Sequence, residues 1–266
     1  MRFFVDQVPI AHHRLWKIKI NSRRPTIKTL KSVFSTSVLS GQLDYFLPEK
    51  CALCRCVSNL GFCINCQKLL PWTECACEIC SIHLSEAGVC GHCQAHRPVY
   101  QDSIIPFRYK SPISDQIQAL KYSNQLSYAV AMGKMLSLWV VKNPAQWPDT
   151  IVPMPLHRKR IVQRGFNQAT EIARVLNKQL GIAIDQTLLK RVKNTVTQTG
   201  LNEKMRQQNM RKAFIGKVCV GKNPDSYRHV ALLDDVVTSG NTVNAAAKTL
   251  IDTGVERVSV WAIAKT

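Results

Sequence analysis

The chain has 266 residues, enough to bury a full α/β core with room for a small accessory module. Its formal charge of +19 is too lopsided to serve solubility alone and points to an anionic partner, nucleic acid being the natural candidate. The longest apolar stretch, Leu126 to Val141, is broken by Lys134, Ser and Gly and is too short and polar for insertion in a membrane.

Residues 1–42 are expected to form a disordered basic extension. The first 40 carry eight Lys/Arg against one Asp and contain no continuous apolar core of a secretory leader. An Arg-rich transit peptide also fits that composition, but the plainer reading is a basic arm on a cytoplasmic protein.

Eleven cysteines would suggest disulfides in a small secreted chain, and this chain is neither small nor, on this reading, secreted. Cys51, Cys54, Cys63 and Cys66 form one pair of Cys-x-x-Cys turns, and Cys77, Cys80, Cys90 and Cys93 form a second. Each turn sets two thiolates on one side of a metal, so two turns close a tetrahedral four-sulfur site with no open position. Two structural Zn2+ ions are expected, held by a double zinc ribbon over residues 43–97. Four thiolates also suit iron–sulfur clusters, although the spacing lacks a ferredoxin-like run. Cys56 and Cys75 lie close enough to compete as ligands, and His83, His92 and His96 read as loop or supporting residues. Cys219 reads as a small buried hydrophobe.

Residues 98–266 alternate between the two periodicities. Ser103 to Tyr109 reads as a strand or crossing segment, Ser114 to Tyr122 and 126–141 as helices, and Pro144 and Pro148 as a linker. Thr150 to His157 is an apolar run followed by a basic loop, Arg158-Lys159-Arg160, and then Arg164-Gly165-Phe166-Asn167. The next helix carries Phe166, Ala169, Ile172, Ala173, Leu176 and Leu180 on one face and stops at Gly181. Residues 182–184 form a brief strand. Residues 190–217 hold eight Lys/Arg against Glu203 and include Thr197-Gln-Thr-Gly-Leu201 and a polar, helix-like run from Asn202 to Arg211. Arg257 to Ile263 is the last strand. Alternating strands and helices imply a doubly wound, mostly parallel sheet, with ligands at the carboxyl ends of its strands.

The most informative stretch lies within this domain. Val230 to Leu233 reads as a buried strand ending at Asp234, where a second acid, Asp235, follows. A small hydroxyl-rich loop then turns into a helix that ends near Thr253, with Gly254 as its cap. Free backbone N–H groups and the helix dipole make such a corner an anion site. Thr238, Ser239 and Thr242 add hydroxyl donors, Asn241 lies among them, and Gly240 lets the backbone come close. Asp234 and Asp235 repel a phosphate but can accept from paired sugar hydroxyls. A phosphate beside a diol describes a ribose 5-phosphate. The loop lacks the Gly-Lys-Ser/Thr of a P-loop and the Gly-x-Gly-x-x-Gly of a dinucleotide fold. The bland reading is a strand–loop–helix corner with Asp and Ser as caps.

This loop resembles the binding loop for phosphoribosyl pyrophosphate (PRPP) in type I phosphoribosyltransferases. The whole pattern resembles the ComF/GntX family, a double zinc ribbon followed by a domain of that fold. The resemblance rests on the cysteine pairs, Ile117-Gln-Ala-Leu-Lys-Tyr122, Val152-Pro-Met-Pro-Leu-His157, Arg164-Gly-Phe-Asn-Gln168, Thr197 to Leu201 and Asp234 to Thr242. It implies that Asp234 and Asp235 hold the ribose hydroxyls of PRPP, accompanied by Mg2+, and that residues 238–242 hold its 5-phosphate. By position, Pro155, His157, Arg158, Lys159 and Arg160 would bind its pyrophosphate.

The family also implies a role in natural transformation with single-stranded DNA as partner. The residues expected on that backbone are Arg158, Lys159, Arg160, Arg164, Lys190, Arg191, Lys193, Lys204, Arg206, Arg211 and Lys212. Some relatives are named for gluconate utilisation. Two further functions stay open: an active phosphoribosyltransferase with an unidentified acceptor, and a ribbon that docks a helicase or recombination-mediator protein.

Overall fold

Nine-residue runs that are buried almost throughout identify the centre of the sheet. Arg257–Lys265 is buried from Val258 to Ala264, and His229–Val237 from His229 to Leu233. Such runs belong to strands covered on both faces. The structure is a computed structural model that describes residues 49–143, 147–192, 213–217 and 227–266. The basic extension, Pro144, the block Thr197–Leu201, the helix expected from Asn202 to Arg211 and Cys219 lie outside the described residues. So do Lys193, Lys204, Arg206, Arg211 and Lys212.

Contacts divide the chain into two compact units, Met1–Leu70 and Pro71–Thr266. In the first, the described residues hold the cysteine pairs of Cys51 to Cys66 and a short helix α1 (Ile64–Gln67). The second begins with the cysteine pairs of Cys77 to Cys93 and helix α2 (Gly91–Ala95). It continues with β1 (Asp102–Ile104), β2 (Phe107–Arg108), α3 (Ile113–Tyr122) and α4 (Leu126–Lys142). After these come β3 (Thr150–Pro153), α5 (Arg158–Arg164), α6 (Gln168–Leu180), β4 (Ala183–Ile184), β5 (Leu189–Arg191) and β6 (Phe214–Gly216). The chain closes with β7 (His229–Val237), α7 (Asn241–Asp252) and β8 (Arg257–Lys265).

The sheet order is β1-β8-β7-β3-β4, with β2 also on β8, and every pairing in it is parallel. The crossover after β3 leads to β4 on one side, and the crossover after β7 leads to β8 on the other. The boundary between β3 and β7 is therefore the topological switch point, where open α/β sheets leave a crevice at the strand ends. Separately, β5 and β6 form an antiparallel ribbon.

Period-two alternation sorts β7 and β8 between the two faces. Val230, Leu232, Val258, Val260 and Ala262 join Val243, Ala246, Ala247 and Leu250 of α7 in one buried cluster. Helix α6 contacts β3 and β7 and packs against α4. Its buried Ala169, Ile172, Ala173, Leu176 and Leu180 follow the predicted helical stripe. Burying Ile172 or Leu176 is worth about 1.5–3 kcal/mol each. Gly181, at φ 71°, ends the helix in the left-handed conformation. Gly133 of α4 lets α6 approach: a Cβ there would stand 2.8 Å from Val175 Cβ.

Three expectations need correction. β7 does not stop at Asp234; it runs to Val237, because β8 keeps pairing with it through Lys265 while β3 leaves it at Leu233. Arg158-Lys159-Arg160 is not a loop but the first turn of α5, whose N-cap His157 accepts from the Lys159 N–H through Nδ1 at 3.3 Å. Phe166 falls outside α6, which starts after its N-cap Asn167.

Candidate functional site

The two cysteine sets share one local design. In the first, the Cys63 N–H donates to Cys51 Sγ at 3.3 Å, and in the second the Cys90 N–H donates to Cys77 Sγ at the same distance. Arg55 and Ser81 both follow the second cysteine of their turn with positive φ, and their N–H groups donate to Cys51 O and Cys77 O. The amides of Gln67 and Gln94 donate to Phe62 O and Val89 O. Burial raises the Cys51 thiol, but the amides of Cys63, Cys54 and Leu53 outweigh it and bring it down to about 6. Cys77 behaves alike, lowered to about 7 by the amides of Cys90, Cys80 and Ile79 against its burial. In each set the first cysteine thus has amides placed to stabilise its thiolate, while burial raises Cys66, Cys80 and Cys93.

The four Sγ atoms of each set lie within 4.8 Å of one another. Cys54 and Cys63 are 3.6 Å apart, and Cys80 and Cys90 are 3.7 Å apart. A tetrahedron with Zn–S near 2.3 Å has an S···S edge of about 3.8 Å, so both sets fit zinc. Cys56 lies 3.3 Å from Cys54 yet belongs to neither set. Contacts with the thiols of Cys54 and Cys63 push its pKa up to about 12. Cys75 also lies outside both sets, and its carbonyl pairs with His83 Nδ1 at 3.1 Å.

The carboxylate pair occupies the switch point. Asp234 and Asp235 follow Leu233, the last β7 residue paired with β3, and Met154 N–H donates to Leu233 O at 2.7 Å. Asp234 accepts from the Asp235 N–H through Oδ1 at 2.9 Å. Burial first, and then the Asp235 charge, hold the Asp234 carboxyl well above the usual carboxylate range, while Lys121 pulls it down. The Lys121 amine, from the last turn of α3, stands 2.5 Å from Asp235 Oδ2. Next to it Tyr122 is exposed, with the Arg164 guanidinium 5.4 Å from its ring centre.

The hydroxyl loop follows directly. Thr238 and Ser239 are exposed, and Gly240, Asn241 and Thr242 are half-buried. Gly240 is the N-cap of α7 with φ 82°, a conformation that suits glycine, and it offers no side-chain acceptor. The first turn carries no acid, so its N–H groups remain available to an anion. The capped-corner reading therefore lacks its cap.

On the other side of the crevice, Pro155 and His157 are half-buried in the link from β3 to α5, and Arg158 and Lys159 are exposed. Asn167 braces that link by donating to Met154 O at 3.0 Å while capping α6. Burial, and then the Arg160 charge, lower the pKa of Arg191, while Asp234 raises it. The charges of Arg160 and Asp234 thus both act on Arg191. Lys190 is exposed beside Arg191 on β5.

Sequence reading missed Lys121, which stood within a recognised block but without a role. Only its ion pair with Asp235, 114 residues further along the chain, shows it. Among the described residues, no helix is long and apolar enough to cross a membrane.

A doubly wound parallel sheet with paired acids and a hydroxyl loop at its switch point defines an open α/β domain with a crevice at its strand ends, preceded in sequence by two four-cysteine centres. No family model matches the chain. It is 36% identical to Competence protein F of Haemophilus influenzae, over 83% of this chain and 98% of that protein. It is 31% identical to the DNA utilization protein YhgH of Escherichia coli, again over 83% of this chain and 98% of the other. Competence protein ComFC of Bacillus subtilis is 24% identical over 72% of this chain and 78% of its own length. The chain belongs to the family of Competence protein F and YhgH.

Proposed function

We propose that the chain is a competence protein that handles internalised single-stranded DNA in the cytoplasm and carries a PRPP-binding domain. The observation that carries this reading is the position of Asp234, Asp235 and the Thr238–Thr242 loop at the switch point. Asp234 and Asp235 would accept from the ribose 2- and 3-hydroxyls, and the loop would donate to the 5-phosphate. Pro155 to Arg160 would frame the pyrophosphate, which Mg2+ would accompany. The names of its relatives, one a competence protein and one a DNA utilization protein, support the DNA role. Arg158, Lys159, Arg160, Arg164, Lys190 and Arg191 supply the cations for a phosphate backbone. Two Zn2+ ions would hold the cysteine centres, which could also dock a helicase or recombination-mediator protein.

One observation favours an active phosphoribosyltransferase as the second reading. A carboxyl held above its usual range beside a binding loop is a feature of acid–base sites, and Asp234 is such a group. Pyrophosphate release from PRPP in the presence of candidate acceptors separates this reading from binding alone.

The test is a titration of the protein with Mg2+·PRPP and with a short single-stranded oligonucleotide, separately and together. Both should bind. Replacing Asp234 and Asp235 with Asn should weaken PRPP binding and leave the oligonucleotide affinity and the fold intact. Unchanged PRPP affinity in that variant would refute the ribose assignment.

A further inference from the structure

The second cysteine centre and the hydroxyl loop meet in the same part of the fold. Ser81, just after Cys80, and Ser103 of β1 share a hydroxyl–hydroxyl bond of 2.7 Å, and Ser103 Oγ donates to Ile79 O at 2.7 Å. The centre is thereby bolted to the sheet. Cys77, Cys93 and Tyr100 lie in one buried cluster with Val237 and Val243, the residues that flank the loop.

Hydrogen bonds from Lys265 and Val99 and a close approach by Tyr100 then reach the loop and its helix. The Lys265 amine, from the end of β8, donates to Thr238 O at 2.5 Å and to Thr266 O at 2.8 Å. The Tyr100 hydroxyl lies 3.8 Å from where a Cβ on Gly240 would stand. The Val99 N–H donates to Asn244 Oδ1 of α7 at 2.8 Å. Burial lowers the pKa of Lys265, and the charges of Cys80, Cys90 and Cys93 raise it again. A zinc ion on four thiolates leaves the centre with a net charge of about −2. That charge favours the ammonium that clamps Thr238.

We propose that Lys265 is a positioning residue that links the metal-filled second cysteine centre to the shape of the Thr238–Gly240 turn, so that zinc at this centre and anion binding at the loop strengthen each other. This rests on the reading of the loop as a ribose 5-phosphate site. By linkage, the factor by which ribose 5-phosphate tightens zinc at the second centre equals the factor by which that zinc tightens ribose 5-phosphate. The first centre belongs to the other compact unit and serves as the internal control.

The test uses the full chain with both centres loaded. Calorimetric titration with ribose 5-phosphate comes first: if the unaltered protein does not bind it, the loop assignment fails and this proposal with it. If it binds, Lys265→Met, which keeps every cysteine, should bind about tenfold more weakly, as expected for the loss of one charge-assisted hydrogen bond. Lys265→Arg, which retains charge and donors, should recover most of that loss. Competition with a colorimetric zinc chelator should show two release steps, of which ribose 5-phosphate delays one. In Lys265→Met that delay should vanish. Equal ribose 5-phosphate affinity in Lys265→Met, or weaker binding with the delay intact, overturns the proposal while the loop assignment stands.

Discussion

Removing the Lys121 amine should destabilise the sheet unit more at high pH than at low pH. Lys121→Met keeps most of the aliphatic stem and deletes the ammonium that stands 2.5 Å from Asp235 Oδ2. The two side chains are 22% and 13% exposed, between the surface and buried limits. A surface pair contributes about 0–1 kcal/mol, whereas stranding one member of a buried pair costs about 3–5 kcal/mol. Partial exposure places the cost near 2 kcal/mol, or a melting temperature lower by about 4–8 °C at this size.

The pH dependence follows from Asp234. Its carboxyl is raised by burial and by Asp235, so protonation favours the folded state. That contribution is present below the unfolded pKa and is lost as pH rises through the raised folded value. Lys121 moderates the loss by favouring the charged form. Without Lys121 the folded value rises further and the loss at high pH grows. Urea denaturation at successive pH values above the ordinary carboxylate range should show the gap between wild type and variant widening with pH. A gap that stays constant refutes the argument. So does an equal cost of Lys121→Met in an Asp235→Asn background, since coupled groups cannot be additive.

Other outcomes follow from the same geometry. Metal analysis should give about two zinc ions per chain, and iron with a visible charge-transfer band would contradict the tetrahedral fit. Single-strand affinity should fall linearly with log salt by about 0.7 per phosphate contact, and changing Arg158, Lys159, Arg160 and Arg164 to Ala should lower both affinity and slope. A drop in affinity with the slope unchanged would assign those residues to the PRPP site or to folding. Gly133→Ala should cost about 1–3 kcal/mol in denaturant unfolding, because its Cβ would press on Val175 between α4 and α6. No loss would mean that the two helices separate freely.

Much of this was legible in the chain because the signals are local. Cys-x-x-Cys spacing, the stripe on α6 and the acids that follow Val230–Leu233 need only neighbours in sequence. The extent of β7 was not, because its last three residues are strand only through β8. Nor was the helical state of Arg158-Lys159-Arg160, where three adjacent cations opening a helix run against its dipole. Lys121, Tyr100 and Lys265 could not be assigned from sequence, since each meets the loop across more than twenty residues of chain. The repeat of the cysteine turns groups both sets as one module. The tie of the second set to β1 through Ser81 and Ser103 joins residues too far apart in sequence to be read from that repeat.

The position of β8 bears on how the molecule comes to be folded. β8 lies inside the sheet, between β7 on one side and β1 and β2 on the other, with Asp102 in register with Ser259 across more than half of the chain. β1 and β2 are synthesised long before it and cannot join the sheet without it. Contacts so distant in sequence are slow to form, since a long loop must be ordered before they give anything back. During translation β1 and β2 therefore wait unpaired, and β7, although paired with β3, waits with one edge open. That interval is when the chain is most exposed to aggregation and most dependent on chaperones.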